Sequence, residues 1–251
     1  MRLVFWNCNM ALHRKMDALM ALRPDIAVIG ECADPGTLAQ RGVGGLTDQT
    51  CVWTGRNRHK GLAALAFGSY RLVRAAPFYP TLQYLLPVHV TGPASFNLMA
   101  VWAQNASAGI TRKHQLGPLR LGLSRYRDFL EGGRTILGGD LNNNAIWDKP
   151  GWRTNHMAKV AIMDRLGMTS AYHARTEEPH GAEQTPTLYW RDRTRDGPTY
   201  HLDYTFLPAG WLPFVTHFEI GGFDDWIATG LSDHVPLVLD LKLPDPAPLP
   251  I

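Results

Sequence analysis

Hydrophobic runs that favour β-structure alternate along the chain with stretches whose apolar residues follow helical spacing. "RLVFWNC" (residues 2–8) predicts a first strand, and "DIAVIGE" (residues 25–31) predicts a second, buried one. Between them Met16 and Leu19 follow the spacing of a helix face, and Pro24 ends that pattern. A strand, a helix and a strand in this order predict an α/β architecture at the start of the chain.

Further strands are predicted in the middle of the chain, after a Gly-rich segment (residues 33–50) that predicts a loop. They are "CVWTG", "GLAALAFGS", "RLVRAAPFY", "YLLPVHVTG" and "FNLMAVWAQ". Residues 114–131 then predict a helix, because Leu119, Leu123 and Leu130 lie along one side of it.

The second half of the chain continues the α/β pattern. "RTILGGD" predicts a strand, and residues 155–168 predict an amphipathic helix. "TPTLYW" and "YHLDYTFLP" predict a hairpin whose turn contains Gly197, and "HVPLVLDLKL" predicts the last strand before a Pro-rich tail (residues 244–251). Because no repeat or linker interrupts the pattern, we expect a single domain over residues 1–251.

The composition is that of an ordinary globular protein with a mild positive charge. Of its 251 residues, 45% are hydrophobic, and the net charge of +3 suits an anionic partner but falls far short of a polybasic membrane anchor. Cys8, Cys32 and Cys51 form no CxxC pair, and no apolar run approaches the roughly 18 residues of a membrane span. We therefore expect a monomeric, cytoplasmic protein without a signal peptide or membrane span.

Polar residues stand where several of the predicted strands end. They are Asn7, Glu31, Asp140, and the pair Asp233 and His234 directly before the last strand. Strand ends are where α/β proteins gather their sites, because the sheet holds the backbone and the adjoining loops leave room for a ligand. Each residue alone has an ordinary explanation as a turn former or a cap, whereas their joint occurrence indicates a functional site.

Alternation within "YHLDYTF" adds Asp203 to this group. The aromatic and aliphatic residues share one face of the predicted strand, which leaves His201 and Asp203 together on the other face. A carboxylate inside so hydrophobic a strand needs a partner, because an unpaired buried charge is costly. A histidine such as His234 would serve as that partner.

Other metal-binding and catalytic motifs fit the sequence less well. Asp140, Asn142 and Asn144 match the first positions of a calcium-binding loop, but Ala145 and Gly151 stand where such a loop needs glycine and glutamate. The GxSxG, HExxH and P-loop patterns are absent, and the ten histidines show no zinc-ligand spacing. We expect ordinary surface or packing roles for His13, His156, His173, His180 and His217.

Five motifs together resemble the endonuclease/exonuclease/phosphatase superfamily. They are "WN" (residues 6–7), "GE" (30–31), "GGDLN" (138–142), "LDYTF" (202–206) and "SDHVPL" (232–237). The resemblance implies an α/β fold with four layers, in which two mixed β-sheets pack face to face and helices cover both outer sides. It also implies a hydrolase that needs Mg²⁺ or Mn²⁺ and cleaves phosphate esters.

The family's metal site falls on acidic and amide residues of this chain. The resemblance implies that Glu31 is the principal metal ligand, with Asn7 and Asp233 close by, and such oxygen donors suit Mg²⁺ or Mn²⁺. Asn9 departs from the pattern, since some nucleases of the family have an aspartate there. "IGECA" also lacks the Gln-Glu-Thr-Lys wording of AP endonucleases, so we do not expect a standard member of that branch.

The family's catalytic groups also fall on residues of this chain. The resemblance implies that Asp140 orients and deprotonates the attacking water, while Asn142 holds that water or a phosphate oxygen. It implies that His234, oriented by Asp203, donates to a non-bridging phosphate oxygen. Gln104 stands where many members have a histidine or tyrosine, and as an amide it can contact substrate but cannot act as an acid.

The stretch "GGDLNNN" is therefore expected to form one wall of a site that cleaves phosphate esters. Gly138 and Gly139 would give the backbone room beside the phosphate, and Asn144 is a turn former or a substrate contact. Trp147 and Trp152 follow closely and could stack on a base or a sugar, although tryptophan is more often a core residue.

Basic residues give the remaining indication of substrate. Residues 111–127 contain five arginines and lysines and no acid, and the basic segment "RNRHK" includes Lys60. In "RDRTRD", by contrast, aspartates nearly balance the charge of the arginines. We therefore expect a nuclease acting on phosphodiester bonds in nucleic acid. The alternatives are a phosphomonoesterase or a phospholipid or inositol-phosphate esterase of the same fold, and a catalytically weak binding module.

Overall fold

The structure is a computed structural model that describes residues 1–82, 84–103 and 117–244. The strands are β1 (Arg2–Asn7), β2 (Ile26–Cys32), β3 (Cys51–Asn57), β4 (Lys60–Ala66), β5 (Arg71–Arg74), β6 (Leu85–Thr91), β7 (Phe96–Trp102), β8 (Thr135–Asp140), β9 (Met168–Ser170), β10 (Leu188–Tyr189), β11 (Thr199–Tyr200), β12 (Asp203–Pro208), β13 (Val215–Ile220) and β14 (Leu237–Leu241). The α-helices are α1 (Met16–Ala21), α2 (Pro35–Gln40), α3 (Pro118–Arg125), α4 (Arg127–Leu130), α5 (His156–Arg165), α6 (Ala171–Thr176) and α7 (Phe223–Trp226). Short 3-10 helices lie at Leu12–Arg14, Pro80–Leu82, Ala145–Trp147 and Ala209–Phe214.

Two mixed, six-stranded β-sheets contain most of these strands. The first sheet has the order β13-β14-β1-β2-β4-β3, and the second has the order β5-β6-β7-β8-β12-β9. β1 runs parallel to β2, and β7 runs parallel to β8, whereas β8 is antiparallel to β12. The parallel pair β1–β2, connected through α1, is the β-α-β unit that the sequence predicts. β10 and β11 form a separate two-stranded ribbon.

The two sheets pack against each other through alternate side chains of their strands. On β1, Leu3 and Phe5 belong to the core between the sheets, whereas Val4 and Trp6 belong to the core on the outer side of the first sheet. Both faces of these strands are therefore buried, which explains why their sequences are almost continuously hydrophobic instead of alternating with polar residues.

Helices cover the outer face of each sheet. Leu19 of α1, Leu38 of α2 and Trp226 of α7 pack on the first sheet. Leu123 of α3 and Met163 of α5 pack on the second. The order helix, sheet, sheet, helix confirms the four-layer α/β sandwich. None of the helices in the described residues is long and apolar enough to cross a membrane.

Three predicted elements differ from the structure. The Gly-rich segment at residues 33–50 contains helix α2, which begins because Asp34 Oδ1 accepts a hydrogen bond from the Thr37 N–H and Pro35 occupies the first turn. The helix predicted over residues 114–131 is divided at Tyr126 into α3 and α4, and residues 114–116 lie outside the described residues. The long second strand of the predicted hairpin is divided into β11 and β12.

The paired glycines of β8 serve the packing of the sheets. A Cβ atom on Gly138 would lie 2.4 Å from Cε1 of Phe5, and one on Gly139 would lie 2.1 Å from the Val101 carbonyl oxygen. Gly139 also has a φ of +130°, which side chains rarely tolerate. The glycines therefore allow β8 to approach β1 and β7, and the expectation that they leave room for a phosphate is replaced by this structural role.

Candidate active site

Asp140, the last residue of β8, is the centre of the candidate site. Its buried carboxylate accepts hydrogen bonds from the side-chain amide of Asn7 (Nδ2 to Oδ2, 3.0 Å) and from the backbone N–H of Asn142 (to Oδ1, 2.8 Å). Burial raises the pKa of Asp140 to about 7, although the nearby His234 opposes the shift. A carboxyl group whose pKa lies near neutrality is suited to act as a general base.

His234 and Asp203 form a buried pair beside Asp140. Asp203 begins β12 and lies opposite Asp140 in the pairing with β8. His234 Nδ1 lies 2.7 Å from Asp203 Oδ2, and His234 Nε2 lies 4.0 Å from Asp140 Oδ2. Burial favours the neutral ring, but the carboxylates of Asp203 and Asp140 outweigh it and raise the pKa of His234 to about 10. The ring is therefore a cation at neutral pH, held by one carboxylate and facing another.

Two hydroxyl groups that the sequence does not single out hold the backbone of this cluster. Thr187 Oγ1 accepts a hydrogen bond from the Asp203 N–H (3.0 Å). Ser232 Oγ donates to the carbonyl oxygen of Asn7 (2.7 Å) and accepts from the His234 N–H (3.1 Å). Ser232 thereby joins the loop before β14 to the end of β1. Serine and threonine are common at such positions in many loops, so the sequence alone carries no signal for these roles.

Left-handed backbone conformations lie beside the same strand ends. The φ angle is +59° at Glu31, +47° at Asn142 and +46° at Asn9. Non-glycine residues adopt this region at an energetic cost, and such residues are concentrated at functional sites. At Glu31 the conformation coincides with an irregularity between Gly30 and Cys32 in the pairing of β2 with β4, and bulges of this kind redirect a side chain.

Glu31 and Asp233 each present a carboxylate, the kind of ligand that a divalent metal ion prefers. Mg²⁺ and Mn²⁺ prefer oxygen ligands, and the two side chains keep 16% and 28% exposure, so their oxygens remain accessible. Lys60 Nζ lies 3.0 Å from Glu31 Oε2, and Arg193 Nη2 lies 3.9 Å from Asp233 Oδ2. Each carboxylate therefore already lies in an environment that balances its charge with a cation.

A second acidic group is less suited to a metal. Ligand atoms of Asp140, Asp203 and His234 lie within 4.8 Å of one another. The cationic ring of His234 already balances part of the negative charge of the two carboxylates. Asp140 and Asp203 are also almost fully buried, whereas Glu31 and Asp233 are more exposed and so more accessible to a metal ion.

A cavity of about 690 Å³ is lined by Asn142 and Leu202, which are close in sequence to Asp140 and Asp203. Asn142 lines the cavity together with the aromatic side chains of Trp147, Trp152, Trp190 and Tyr200. The rings of Trp147 and Tyr200 lie 5.0 Å apart, and Trp147 and Trp190 are 45% and 44% exposed. Exposed aromatic faces beside a polar site can stack on flat ligands such as bases. Trp190 and Tyr200 reach the cavity through the ribbon of β10 and β11, which is the hairpin that the sequence predicts.

Asn144 has a structural role in place of the substrate contact that the sequence suggests. It is only 2% exposed. Its Nδ2 lies 3.0 Å from each of three acceptors, which are Oε2 of Glu183, the hydroxyl oxygen of Tyr204 and the carbonyl oxygen of His201. These hydrogen bonds fasten the loop after β8 to the interior.

The predicted substrate-binding residues Gln104 and Lys60 remain predictions. Gln104 and the first part of the basic segment at residues 111–127 lie outside the described residues. Lys60 pairs with Glu31 as described above, and Arg127 Nε lies 2.5 Å from a carboxylate oxygen of Glu131. Arg193, by contrast, comes from the "RDRTRD" segment that the sequence suggests is self-neutralised, and it faces Asp233 of the candidate site.

Comparison with known proteins shows the fold. No protein-family model matches the chain, and no curated protein matches it. The structure is similar to the 3′-5′ exonuclease NExo from Neisseria meningitidis, with a TM-score of 0.66, 15% identity, and coverage of 97% of this chain and 100% of the other. A 3′ phosphatase NExo from Neisseria, bound to a product DNA hairpin, matches with a TM-score of 0.64, 15% identity and the same coverage.

Other nucleases have the same architecture. The endonuclease domain of TRAS1, a telomere-specific non-LTR retrotransposon, matches with a TM-score of 0.61, 16% identity, and coverage of 96% of this chain and 98% of the other. The AP endonuclease LMAP from Leishmania major matches with a TM-score of 0.64, 14% identity, and coverage of 97% and 88%. These likenesses confirm that the chain has the endonuclease/exonuclease/phosphatase fold.

Proposed function

We propose that the protein is a metal-dependent phosphodiesterase that hydrolyses phosphodiester bonds in nucleic acid. The observation that carries the proposal is the buried cluster of Asp140, Asp203 and His234, with Asn7 bonded to Asp140, at the strand ends of this fold. The similar structures named above are nucleases and a 3′ phosphatase, which supports phosphate-ester cleavage as the class of reaction.

Asp140 is the proposed general base. Asn7 and the Asn142 N–H hold its two oxygens in place, which leaves the remaining lone pairs free to accept a proton from the attacking water. Its raised pKa, about 7, means that it gains and loses a proton readily at neutral pH. The side chain of Asn142 lines the cavity, where it is placed to hold the water or a phosphate oxygen.

His234 is the proposed donor to a non-bridging phosphate oxygen. Asp203 binds Nδ1 of the ring, so that Nε2 carries its proton toward the site. The positive charge of the imidazolium opposes the negative charge that develops on the phosphate in the transition state. Mg²⁺ or Mn²⁺, held by Glu31 and Asp233 with Asn7 nearby, would polarise a phosphoryl oxygen and balance further negative charge.

The aromatic cavity favours a nucleic-acid substrate over a small inorganic or lipid phosphate. Base stacking on aromatic side chains contributes about 1–3 kcal/mol per base and tolerates any sequence. Trp147, Trp190 and Tyr200 offer such faces in the cavity that Asn142 also lines, so a base stacked there would lie near the loop that follows Asp140. The proposed enzyme therefore has a hydrolytic centre and a separate surface that binds a nucleic-acid base.

A panel of substrates tests the proposal. Purified protein is incubated with Mg²⁺ or Mn²⁺ and, separately, with plasmid DNA, single-stranded DNA, RNA and bis-p-nitrophenyl phosphate. We expect metal-dependent cleavage of a nucleic acid that chelation by EDTA abolishes. Activity confined to phosphomonoesters, or to a panel of phospholipids and phosphoinositides, would instead support an esterase of the same fold. No turnover of any substrate would support a binding module.

A further inference from the structure

Four histidines and a glutamate lie together on the far side of Asn144, outside the candidate active site. His173 belongs to α6, His156 begins α5, and His180 and Glu183 lie in the loop between α6 and β10. Ligand atoms of His173, His180 and Glu183 lie within 4.8 Å of one another. His201 packs nearby, with its ring 6.2 Å from that of His173.

Distances within this cluster are those of a tetrahedral transition-metal site. With metal–ligand bonds of about 2.0–2.1 Å, neighbouring ligands of a tetrahedral zinc ion lie about 3.3–3.4 Å apart. Glu183 Oε1 lies 3.1 Å from His173 Nε2 and 3.9 Å from His180 Nδ1. His156 Nε2 lies 3.1 Å from His180 Nδ1, although it is outside the set of three whose ligand atoms all lie within 4.8 Å of one another, so a shift of its side chain would bring in a fourth nitrogen.

The outer contacts of His173 and Glu183 are also those of a metal site. A histidine that binds a metal through one nitrogen usually engages a second group through the other, which holds the ring in place. His173 Nδ1 lies 2.7 Å from the hydroxyl oxygen of Ser170. Glu183 Oε2 accepts hydrogen bonds from Asn144 Nδ2 and the Gly181 N–H, each at 3.0 Å, which leaves Oε1 directed at the histidines.

Glu183 is a buried carboxylate that a cation would further stabilise. Its side chain is only 2% exposed, and a buried carboxylate without a counter-charge is costly. In the part of the chain that the structure describes, its recorded ion pairs are with His173 and His180 and with no lysine or arginine. Hydrogen bonds from Asn144 and the Gly181 N–H stabilise the charged carboxylate, and a metal ion would add a counter-charge. Two imidazoles with one carboxylate are a ligand set that zinc uses.

We propose that His173, His180 and Glu183 bind a zinc ion, with His156 as the fourth ligand. The ion would fasten α6 and the following loop to α5. The same loop leads to Thr187, whose hydroxyl oxygen holds the backbone N–H of Asp203. The zinc site is therefore a structural support for the cluster around Asp140, and it does not depend on the function proposed above.

Metal content and zinc titration test this site directly. Protein purified without chelator is assayed for bound zinc by mass spectrometry, and metal-free protein is titrated with Zn²⁺ and with Co²⁺. We expect one zinc per chain and a visible absorption spectrum of tetrahedral Co²⁺. We also expect Tm to rise by about 5–10 °C when free zinc is about 100-fold above its Kd. Metal-free wild-type protein that binds neither ion would overturn the proposal, whatever the protein's catalytic activity.

Matched variants assign the bound zinc to this cluster. His180→Gln removes a ligand from a partly exposed loop and is expected to weaken zinc binding by at least about 100-fold, since loss of an outer contact alone costs about 10- to 100-fold. His217→Gln is the control, because His217 forms an exposed pair with Glu219 at 3.0 Å and should leave zinc binding unchanged. Glu31→Gln, which alters the proposed Mg²⁺ site, should also retain zinc. Equal zinc affinity of His180→Gln and wild-type protein would refute the assignment.

Discussion

Replacing Asp140 with asparagine is expected to stabilise the metal-free protein while it abolishes hydrolysis. The carboxyl group is buried, and burial raises its pKa from 3.8 to about 7. A raised pKa means that ionisation of Asp140 costs more in the folded protein than in the unfolded chain. Asparagine has nearly the same shape and no charge, so the variant avoids that cost.

The size of the effect follows from the pKa. The rise from 3.8 to about 7 is roughly three pH units, which corresponds to about 4 kcal/mol at 1.36 kcal/mol per unit. Against this, the Asn7 amide loses its acceptor, which costs about 1–3 kcal/mol. We therefore expect a net gain of about 1–3 kcal/mol above pH 7, or about 2–12 °C in Tm.

The stability that Asp140→Asn gains over the wild-type protein should depend on pH. Above a pH of about 7 the folded wild-type protein carries the full cost of the ionised carboxylate, so the advantage of Asp140→Asn is complete there. As the pH falls from about 7 toward 3.8, Asp140 becomes protonated in the folded protein, and the advantage disappears. Urea unfolding in EDTA at about pH 8 and about pH 4.5 measures both limits.

Asp240→Asn is the matched control, with the opposite sign. Asp240 accepts two hydrogen bonds from the guanidinium of Arg2, at 2.8 and 2.7 Å, and this contact lowers the pKa of Asp240. The stability that it contributes is present above the unfolded pKa and is lost as the pH falls, so the variant should be less stable than wild type at about pH 8. If Asp140→Asn were also less stable than wild type at that pH, burial would not control the ionisation of Asp140.

Three further substitutions test the packing and the cavity. Asn144→Ala leaves Glu183 and two other acceptors without their shared donor, so urea unfolding should show a loss of about 2–4 kcal/mol. Trp147→Ala removes a 45% exposed ring, so anisotropy without metal should show single-stranded DNA binding about 5- to 150-fold more weakly, with Tm unchanged. Gly138→Ala drives a Cβ atom to within 2.4 Å of Phe5 and should lower the free energy of unfolding by about 1–3 kcal/mol, as measured in urea.

The sequence predicts the layout of the candidate site because its chemistry lies at the ends of strands. Hydrophobic runs mark β1, β2 and β8, and the polar residue that ends each run is visible without a structure. The antiparallel pairing of β8 and β12 then brings Asp203 opposite Asp140. Local patterns of this kind predict an α/β architecture, and the resemblance of the motifs to a known superfamily implies the four layers, which the structure confirms.

The histidine cluster could not be predicted in the same way. His156, His173, His180 and Glu183 come from two helices and a loop, and their spacing matches no short metal-binding motif. They meet only because α5 and α6 both adjoin the second sheet, which is a property of the tertiary structure. The sequence therefore indicates only ordinary packing roles for these histidines, because a local pattern does not show which residues meet in the folded chain.

Contacts in the protein interior are a second kind of feature that sequence patterns do not predict. Asn144 stands in a polar, loop-like stretch, yet it is buried and bonded to three acceptors from distant parts of the chain. Gly138 likewise looks like part of a phosphate-binding turn, although its role depends on Phe5 of the facing sheet. In both cases the role of the residue is determined by a contact with residues that lie far away in the sequence.

If the cluster around Asp140 hydrolyses phosphodiester bonds, replacing His234 with alanine should sharply lower the rate of cleavage. The assay compares wild-type and variant protein, with Mn²⁺ at about pH 7.5, on the nucleic acid that the wild type cleaves fastest. Unfolding in urea shows that the variant is folded. The proposed role of His234 predicts a rate at least about 100-fold lower for the variant. Near-normal turnover by a folded His234→Ala protein would contradict this role of the cluster.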